Sequence, residues 1–194
     1  MMQPGDVAAL SAFAEAARQI RLHFFVGGSL ASSLHGMPRM TQDVDVVALL
    51  RRDQIGGLCT ALGTDWYAAE EAMEEALRFR SSFNAIDYPS GVKIDVFVGG
   101  HRPYDGLMYL RAMDVQLDPG ATPIAVASAE DVVVQKLLCF KASNGVLSRQ
   151  LDDIRGVLRT QGDRFDWSYA LEQAEALGVR DLAESCRAEL HKTT

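Results

Sequence analysis

The chain has 194 residues, of which 48% are hydrophobic and 23% are charged, so it can bury one substantial core, alone or with a small helical extension. Its net charge of -7 argues against broad, nonspecific nucleic-acid binding, which requires a basic surface, and suits a cationic substrate or a bound divalent metal ion. Three widely spaced cysteines suggest neither a disulfide framework nor a structural zinc site, and they predict reduced, buried thiols. The N-terminus does not look like a signal peptide, and no apolar run approaches the ~20 residues that span a bilayer. We therefore expect a cytoplasmic protein without membrane contact.

The first two thirds of the chain alternate between helix-like and strand-like stretches. Apolar residues at helical spacing predict helices, and apolar residues at every second position predict strands. Asp6 and Ser29 are plausible caps for the first two helices. The helices are predicted at 6–20, 29–36, 51–63 and 68–79, and the strands at 21–28, 43–50, 81–88, 92–100, 107–117 and 122–128. The acidic stretch 68–79 is also compatible with an irregular segment.

The last third of the chain is predicted to be helical. It opens with a Ser-x-x-Asp pattern at Ser128 and Asp131, which is typical of a capping box. Further helical patterns follow at 148–162, 166–178 and 179–192. We predict an α/β (α+β) core over residues 1–125, in which helices flank a mixed sheet, and a C-terminal helical segment over residues 126–194 packed on that core.

Three aspartates lie inside strand-like apolar runs. Asp43 and Asp45 are two residues apart in one strand, so they face the same side of it, and Asp95 lies in the middle of another strand. Burying such like charges unpaired is costly, and a divalent cation such as Mg²⁺ removes that cost. If the two strands are neighbours, the carboxylates converge on one edge of the sheet and can clamp two metal ions for attack on phosphorus. Either pattern alone is also compatible with a solvated strand edge.

A glycine turn follows the first predicted strand. Gly27 and Gly28 allow a tight turn and the close approach of a ligand. Ser29 opens a helix whose free N–H groups and dipole favour anions. A triphosphate could lie between this helix start and the metal ions, although Gly-Gly-Ser alone is also an ordinary strand–helix connection.

Taken together and in this order, these features resemble the nucleotidyltransferase superfamily that includes DNA polymerase beta. More narrowly, "VGGSLASSLHGMPRMTQDVDVV" is similar to small bacterial nucleotidyltransferases related to the AbiEii toxins. In that group a Gly-Gly-Ser helix precedes an Arg-x-Thr-x-Asp-x-Asp stretch, which here is Arg39, Thr41, Asp43 and Asp45. The resemblance covers residues 22–98 and extends more loosely over residues 130–154.

The resemblance implies a nucleotidyltransferase-type mixed sheet and assigns roles to individual residues. Asp43, Asp45 and Asp95 would bind the metal ions, and Asp95 would also help to deprotonate the attacking hydroxyl. The nucleotide would be bound by Gly27, Gly28, Ser29, Arg39, Lys136 and Asp152. Within that set, Lys136 would neutralise phosphate charge, Arg39 would do the same or brace its loop, and Asp153 competes with Asp152 for the acidic position.

The function implied by the resemblance is a metal-dependent nucleotidyltransferase. It would move a nucleoside monophosphate from a nucleoside triphosphate (NTP) to a hydroxyl, with Mg²⁺ or Mn²⁺ as cofactor. The acceptor would be RNA, such as transfer RNA, or a protein, and the chain could be a toxin with a partner antitoxin. Two alternatives stay open: a small-molecule, antibiotic-type nucleotidyltransferase, and a non-catalytic module that binds a nucleotide or a partner protein.

Overall fold

The computed structural model describes residues 4–40, 43–117, 122–146 and 148–193. Thr41 of the Arg-x-Thr-x-Asp-x-Asp stretch lies outside these residues. The chain forms two compact units. Unit 1 comprises Met1–Leu30 and Met40–Ala127, and unit 2 comprises Ala31–Arg39 and Ser128–Thr194. The units divide at Ala127, two residues beyond the predicted limit of the core, and a short segment that precedes the aspartate strand belongs to the helical unit.

Unit 1 contains a mixed β-sheet, which confirms the predicted α/β class. Its described strands are β1 (Phe24–Val26), β2 (Asp43–Ala48), β3 (Trp66–Tyr67), β4 (Ser82–Asp87), β5 (Lys93–Val98), β6 (Met113–Val115) and β7 (Ile124–Val126). Their order across the sheet is β3-β4-β5-β2-β1-β7-β6. Strand β2 runs parallel to β5 and β1 runs parallel to β7, whereas the other neighbours are antiparallel. The aspartate-bearing strands β2 and β5 therefore lie side by side in the interior of the sheet.

Alternation along the strands builds the core of unit 1. Every second residue of β2 and β5 is buried, and between these residues lie partly or fully exposed ones. The buried set is Val44, Val46, Ala48, Ile94, Val96 and Val98. This apolar face fixes the register of the two strands, because a shift by one residue would bring the aspartates into the core.

Helices accompany the sheet in unit 1. They are α1 (Pro4–Gln19), α3 (Ile55–Leu62), α4 (Glu70–Phe79) and α5 (Pro103–Arg111), and α2 (Gly28–His35) begins in unit 1 and ends in unit 2. Because α1 begins at Pro4 and α2 at Gly28, the predicted caps Asp6 and Ser29 lie within the first turns instead. None of the helices in the described ranges combines the length and the hydrophobicity needed to cross a membrane.

The prediction of a strand over residues 107–117 is wrong in its first half, which belongs to α5. The start of this helix is stabilised by Asp105, whose buried carboxylate accepts hydrogen bonds from the backbone N–H groups of Gly100, His101 and Arg102 at 3.0, 3.1 and 3.2 Å. Pro103 occupies the first turn, where its missing N–H has no cost. These helix-start signals lie before residue 107, where the predicted strand begins, so the alternation within residues 107–117 did not reveal the helix.

Unit 2 carries four long helices among its described residues. They are α6 (Ala129–Ala142), α7 (Ser148–Gln161), α8 (Trp167–Ala176) and α9 (Arg180–Thr193). The predicted cap of α6 is confirmed: the Ser128 hydroxyl accepts a hydrogen bond from the Asp131 N–H at 3.2 Å. The fully buried Asp131 carboxylate accepts hydrogen bonds from Ser128 and from the Tyr169 hydroxyl, at 2.7 and 2.8 Å. The prediction of buried thiols is wrong, because Cys139 is exposed and Cys59 and Cys186 are partly exposed.

Gly36, at the end of α2, makes a close backbone contact with α7 inside unit 2. A Cβ added at Gly36 would lie 2.6 Å from the Val157 nitrogen and 2.7 Å from the Gly156 carbonyl carbon. Gly156 faces the same junction, since a Cβ there would lie 3.3 Å from the Met37 nitrogen. The contact therefore depends on the absence of side chains at both glycines.

We expect Gly36→Ala to lower the free energy of unfolding by about 1–3 kcal/mol, because the α7 backbone must move to admit the methyl group. Urea unfolding followed by circular dichroism measures the change. The control is Gly106→Ala in α5, where nothing lies within 4 Å of an added Cβ and alanine favours the helix. Equal stability of the two variants would contradict the close contact.

Candidate active site

The three aspartates lie on one face of the sheet. In the parallel pairing of β2 with β5, Asp45 lies directly opposite Asp95, and Asp43 lies opposite Lys93. Residues that are paired in register point to the same side of a sheet, and neighbouring strands are about 4.8 Å apart. The carboxylates therefore gather on the solvent side of two interior strands, rather than at an edge of the sheet.

A lysine lies between two of these carboxylates. The Lys93 ammonium is 3.0 Å from Asp95 Oδ2 and 3.4 Å from Asp43 Oδ1. The hydrogen bond to Asp95 raises the pKa of Lys93 above its ordinary value, slight burial opposes this, and Asp43 adds to the increase. The ammonium therefore stays charged at neutral pH and neutralises part of the negative charge of this face.

The donor set fits a cation, although the side chains do not form a closed metal cage. In the described part of the chain, no group of three or more His, Cys, Asp or Glu side chains is arranged to hold a metal ion. Carboxylate oxygens are nevertheless the ligands that Mg²⁺ prefers, and the Lys93 ammonium already lies between two of them. The predicted binding of metal by Asp43, Asp45 and Asp95 stays a prediction.

The glycine turn lies against Asp45. Gly28 has a φ of +53°, a conformation that side chains disfavour, and a Cβ there would overlap the Asp45 carboxylate and lie 2.6 Å from the Asp45 Cβ. Gly27 donates its N–H to the Asp45 carbonyl at 2.9 Å, and nothing lies within 4 Å of a Cβ added there. The start of α2, with Ser29 in its first turn, is thus held through Gly28 beside the face of the sheet that carries Asp43, Asp45 and Asp95. We call this face the carboxylate face.

Unit 2 contains a second charged cluster. The Asp153 carboxylate accepts hydrogen bonds from Lys136 Nζ at 2.6 Å and from the Arg39 guanidinium at 3.0 and 3.1 Å. Lys136 also donates to Gln150 at 3.1 Å. The side chains of Lys136 and Asp153 are only 6% and 9% exposed. Lys136 is therefore buried, unlike most lysines, which lie at the surface.

Of the two adjacent acidic residues considered for this cluster, the structure places Asp153 beside Lys136. Asp152, the residue predicted for the site, is 72% exposed and pairs with Arg155 at 3.3 Å. Consecutive residues of a helix point about 100° apart, so only one of the two can face α6. Asp153 therefore takes the position in the cluster that was assigned to Asp152.

The Asp153 carboxyl has a lowered pKa. Burial raises the pKa, but the hydrogen bonds from Arg39 and Lys136 together outweigh that effect. A carboxyl with a lowered pKa in the folded state stabilises the protein above its unfolded pKa, and this contribution is lost as pH falls through the folded value. Stability should therefore fall on acidification in part through this residue.

We expect Asp153→Asn to show a weaker pH dependence of the free energy of unfolding below about pH 4 than the wild type, because asparagine takes up no proton there. Urea unfolding at a series of pH values measures both slopes. Asp152→Asn is the matched control, because it makes the same substitution at the neighbouring side chain, which is exposed. The hydrogen-bonded role of Asp153 would be refuted if the Asp153→Asn and wild-type slopes were the same.

A family model described as "Nucleotidyl transferase AbiEii toxin, Type IV TA system" matches residues 8–184. The chain belongs to this AbiEii family. The resemblance drawn from the Gly-Gly-Ser and Arg-x-Thr-x-Asp-x-Asp stretches is thereby confirmed. Among curated proteins, none matches the sequence.

Two solved structures share the fold of this AbiEii-family chain. An antigenic nucleotidyltransferase-like protein from Paracoccidioides brasiliensis has a TM-score of 0.52 at 19% identity, covering 93% of this chain and 91% of its own. The antibiotic-resistance factor ANT(2'')-Ia has a TM-score of 0.51 at 14% identity, covering 99% and 98%. At these identities the likeness shows the fold alone, and it confirms the predicted nucleotidyltransferase-type fold.

The AbiEii-family chain holds two site features that the sequence analysis missed. Lys93 was not singled out, although Lys93 and Asp95 are two residues apart and so share a strand face, as Asp43 and Asp45 do. The close approach of Gly28 to Asp45 could not be read from spacing. The first feature had a usable sequence signal, whereas the second depends on the tertiary fold.

Proposed function

We propose that this chain transfers a nucleoside monophosphate from an NTP to a hydroxyl group. The hydroxyl oxygen forms a bond to the α-phosphorus, the bond from that phosphorus to the bridging oxygen breaks, and pyrophosphate leaves. Membership of the AbiEii nucleotidyl transferase family supports the reaction class. Such a reaction requires chiefly positioning and charge neutralisation from the protein.

One observation carries the proposal: Asp45 lies opposite Asp95 in the parallel register, and Gly28 at the start of α2 lies against the Asp45 carboxylate. This brings a set of acidic oxygens next to a helix N-terminus, within unit 1. The carboxylate oxygens can hold cations, and the helix N-terminus favours anions. An NTP with its metal ion carries both kinds of group.

Asp43, Asp45 and Asp95 would hold Mg²⁺ or Mn²⁺. When bound, the ion would neutralise phosphate charge and favour attack on phosphorus. The Asp95 side chain is 21% exposed and would accept the proton of the attacking hydroxyl on a carboxylate oxygen. The side chain of Asp43 is 49% exposed, so this outer carboxylate can turn toward a ligand with little cost.

The start of α2 would bind the phosphates. Gly28 and Ser29 lie in its first turn, where the helix dipole favours negative charge. Because the N–H of Gly27 is already used in the bond to Asp45, Gly27 would contribute through the turn itself. The missing side chain at Gly28 would let phosphate oxygens approach the backbone closely.

Within unit 2, Arg39 and Lys136 are proposed to bind phosphate through their positive charge. In unit 2 these two cations share the single carboxylate of Asp153, so the three groups carry one net positive charge. Asp153 would orient both side chains, and it would occupy the acidic position of the family pattern for which Asp152 was predicted and Asp153 was the alternative. The lower effective dielectric around a partly buried charge strengthens its attraction for phosphate.

The acceptor is proposed to be RNA, such as transfer RNA, or a protein, with an antitoxin as partner, because the family description names a toxin of a toxin–antitoxin system. The alternative acceptor is a small molecule, since the antibiotic-resistance factor ANT(2'')-Ia has the same fold over nearly the whole chain. The net charge of -7 gives some support to a cationic small molecule.

The proposal is tested by incubating the chain with Mg²⁺ and each labelled NTP, with total RNA, a protein extract or a panel of cationic antibiotics. Pyrophosphate release is measured, and mass spectrometry locates the added nucleoside monophosphate. Label transfer to one acceptor class is expected. Nucleotide binding without pyrophosphate release for any acceptor would instead support a non-catalytic binding module.

A further inference from the structure

Lys93 links the two strands of the carboxylate face. It is the first residue of β5, two residues before Asp95, and its register partner on β2 is Asp43. Its ammonium contacts the carboxylates of both strands, at 3.0 Å from Asp95 and 3.4 Å from Asp43. A single positive charge thus lies between two of the three aspartates to which the proposed function assigns metal binding.

The position of this ammonium distinguishes it from ordinary surface lysines. Its side chain is 37% exposed, and the Asp95 side chain is 21% exposed, so the pair is partly shielded from water. Two carboxylate oxygens on neighbouring strands face one cation, as they would in a metal site. The parallel register brings these three charged groups together, and the buried residues of β2 and β5 fix that register.

We propose that Lys93 is the internal counterion of the metal site, and that its ammonium must leave Asp43 and Asp95 before these carboxylates can bind a divalent cation. This proposal rests on the metal-binding part of the proposed function. Without the metal ion, Lys93 offsets the repulsion between the carboxylates and keeps them oriented. Once displaced, the ammonium would stay on the same face of the sheet, because Lys93 lies in β5 in register with Asp43.

Two measurable consequences follow. The affinity for a divalent cation is lower than the aspartates alone would provide, because each binding event also breaks the contacts of Lys93. The metal-free protein is more stable than it would be without the ammonium, since the negative charges of Asp43 and Asp95 would otherwise lie on the same face without compensation. An ordinary surface ion pair would stabilise the protein slightly and leave metal affinity unchanged.

The test is a titration of the full chain with Mn²⁺, in which electron paramagnetic resonance reports free Mn²⁺ and hence the dissociation constant. Lys93→Met is expected to bind Mn²⁺ about threefold to tenfold more tightly than the wild type, and Lys93→Arg should stay close to the wild type. The control Arg18→Met removes one positive charge from an exposed ion pair with Glu15 on α1, and its affinity should change less than about twofold. Asp45→Asn, which tests the metal site itself, should lose most of the binding.

Thermal unfolding provides a second readout that does not depend on activity. Metal-free Lys93→Met should melt at a lower temperature than the wild type. Saturating Mn²⁺ should raise the melting temperature of Lys93→Met by more than it raises that of the wild type. Unchanged or weaker Mn²⁺ binding by Lys93→Met, together with loss of binding in Asp45→Asn, would overturn the role of Lys93 and leave the proposed metal site intact. Equal binding by Asp45→Asn and the wild type, or no binding by any variant, would overturn both.

Discussion

Asp45→Asn is expected to lower the rate of nucleotidyl transfer by at least about a thousandfold, while the protein stays folded. Asp45 is the central carboxylate of the face: it lies opposite Asp95 on β5 and against Gly28 at the start of α2. Asparagine has nearly the same shape but no charge, so it fits beside Gly28 while providing a much poorer cation ligand. The rate is measured as pyrophosphate release with Mg²⁺, NTP and whichever acceptor supports transfer.

The matched control for this substitution is Asp114→Asn. Asp114 lies exposed on strand β6 of the same sheet, at the opposite side of the strand order from β3. Its replacement makes the same change of charge without touching β2 or β5, so activity should stay within about twofold of the wild type. Similar activity of Asp45→Asn and the wild type would refute the assignment of Asp45 to the reaction.

Most of the sheet could be predicted because its physical signal is local. Alternation of apolar and polar residues marks β2, β4 and β5, and the Pro-Ser-Gly turn marks the antiparallel β4–β5 pairing. The parallel pairing of β2 with β5 is different, because α3, β3, α4 and β4 lie between them in the chain. The pattern allowed that pairing, but only the assembled sheet shows that Asp45 faces Asp95.

The charged cluster of unit 2 shows where sequence reasoning has to stop. Asp152 and Asp153 have the same chemistry, and basic residues lie one turn away on both sides, so composition does not distinguish them. The choice depends on the rotation of α7 about its axis, which is set by packing at Ile154, Val157 and Leu158, all buried. The same packing needs glycine at positions 36 and 156, a requirement that no spacing rule reveals.

The carboxylate face also shows why a metal site is easier to predict as a location than as a geometry. Strand periodicity placed Asp43 and Asp45 on one side of their strand, and Asp95 joins them because β5 pairs with β2 in register. It did not reveal that a lysine on that face engages two of them. The charge balance at such a site depends on every residue that shares the face. Residues two positions along the strand from an aspartate, such as Lys93 beside Asp95, therefore have to be considered together with the aspartates.

Gly28→Ala is expected to reduce nucleotidyl transfer by at least about a hundredfold. The added methyl group would overlap the Asp45 carboxylate, so Asp45 must turn away or the start of α2 must shift. In addition, the φ of +53° at this residue disfavours alanine and should cost about 1 kcal/mol of stability or slightly more. Activity is measured as pyrophosphate release, and stability is measured by urea unfolding of the same preparation.

Gly27→Ala provides a control one residue away in the same turn. Nothing lies within 4 Å of a Cβ added at Gly27, and alanine keeps the N–H that bonds to the Asp45 carbonyl. This variant should therefore keep its activity within about threefold of the wild type. The contrast between the two neighbours separates a general effect of stiffening the turn from the specific overlap with Asp45. Equal losses at both positions would mean that the turn needs backbone freedom, and that the close approach of Gly28 to Asp45 is not what the reaction depends on.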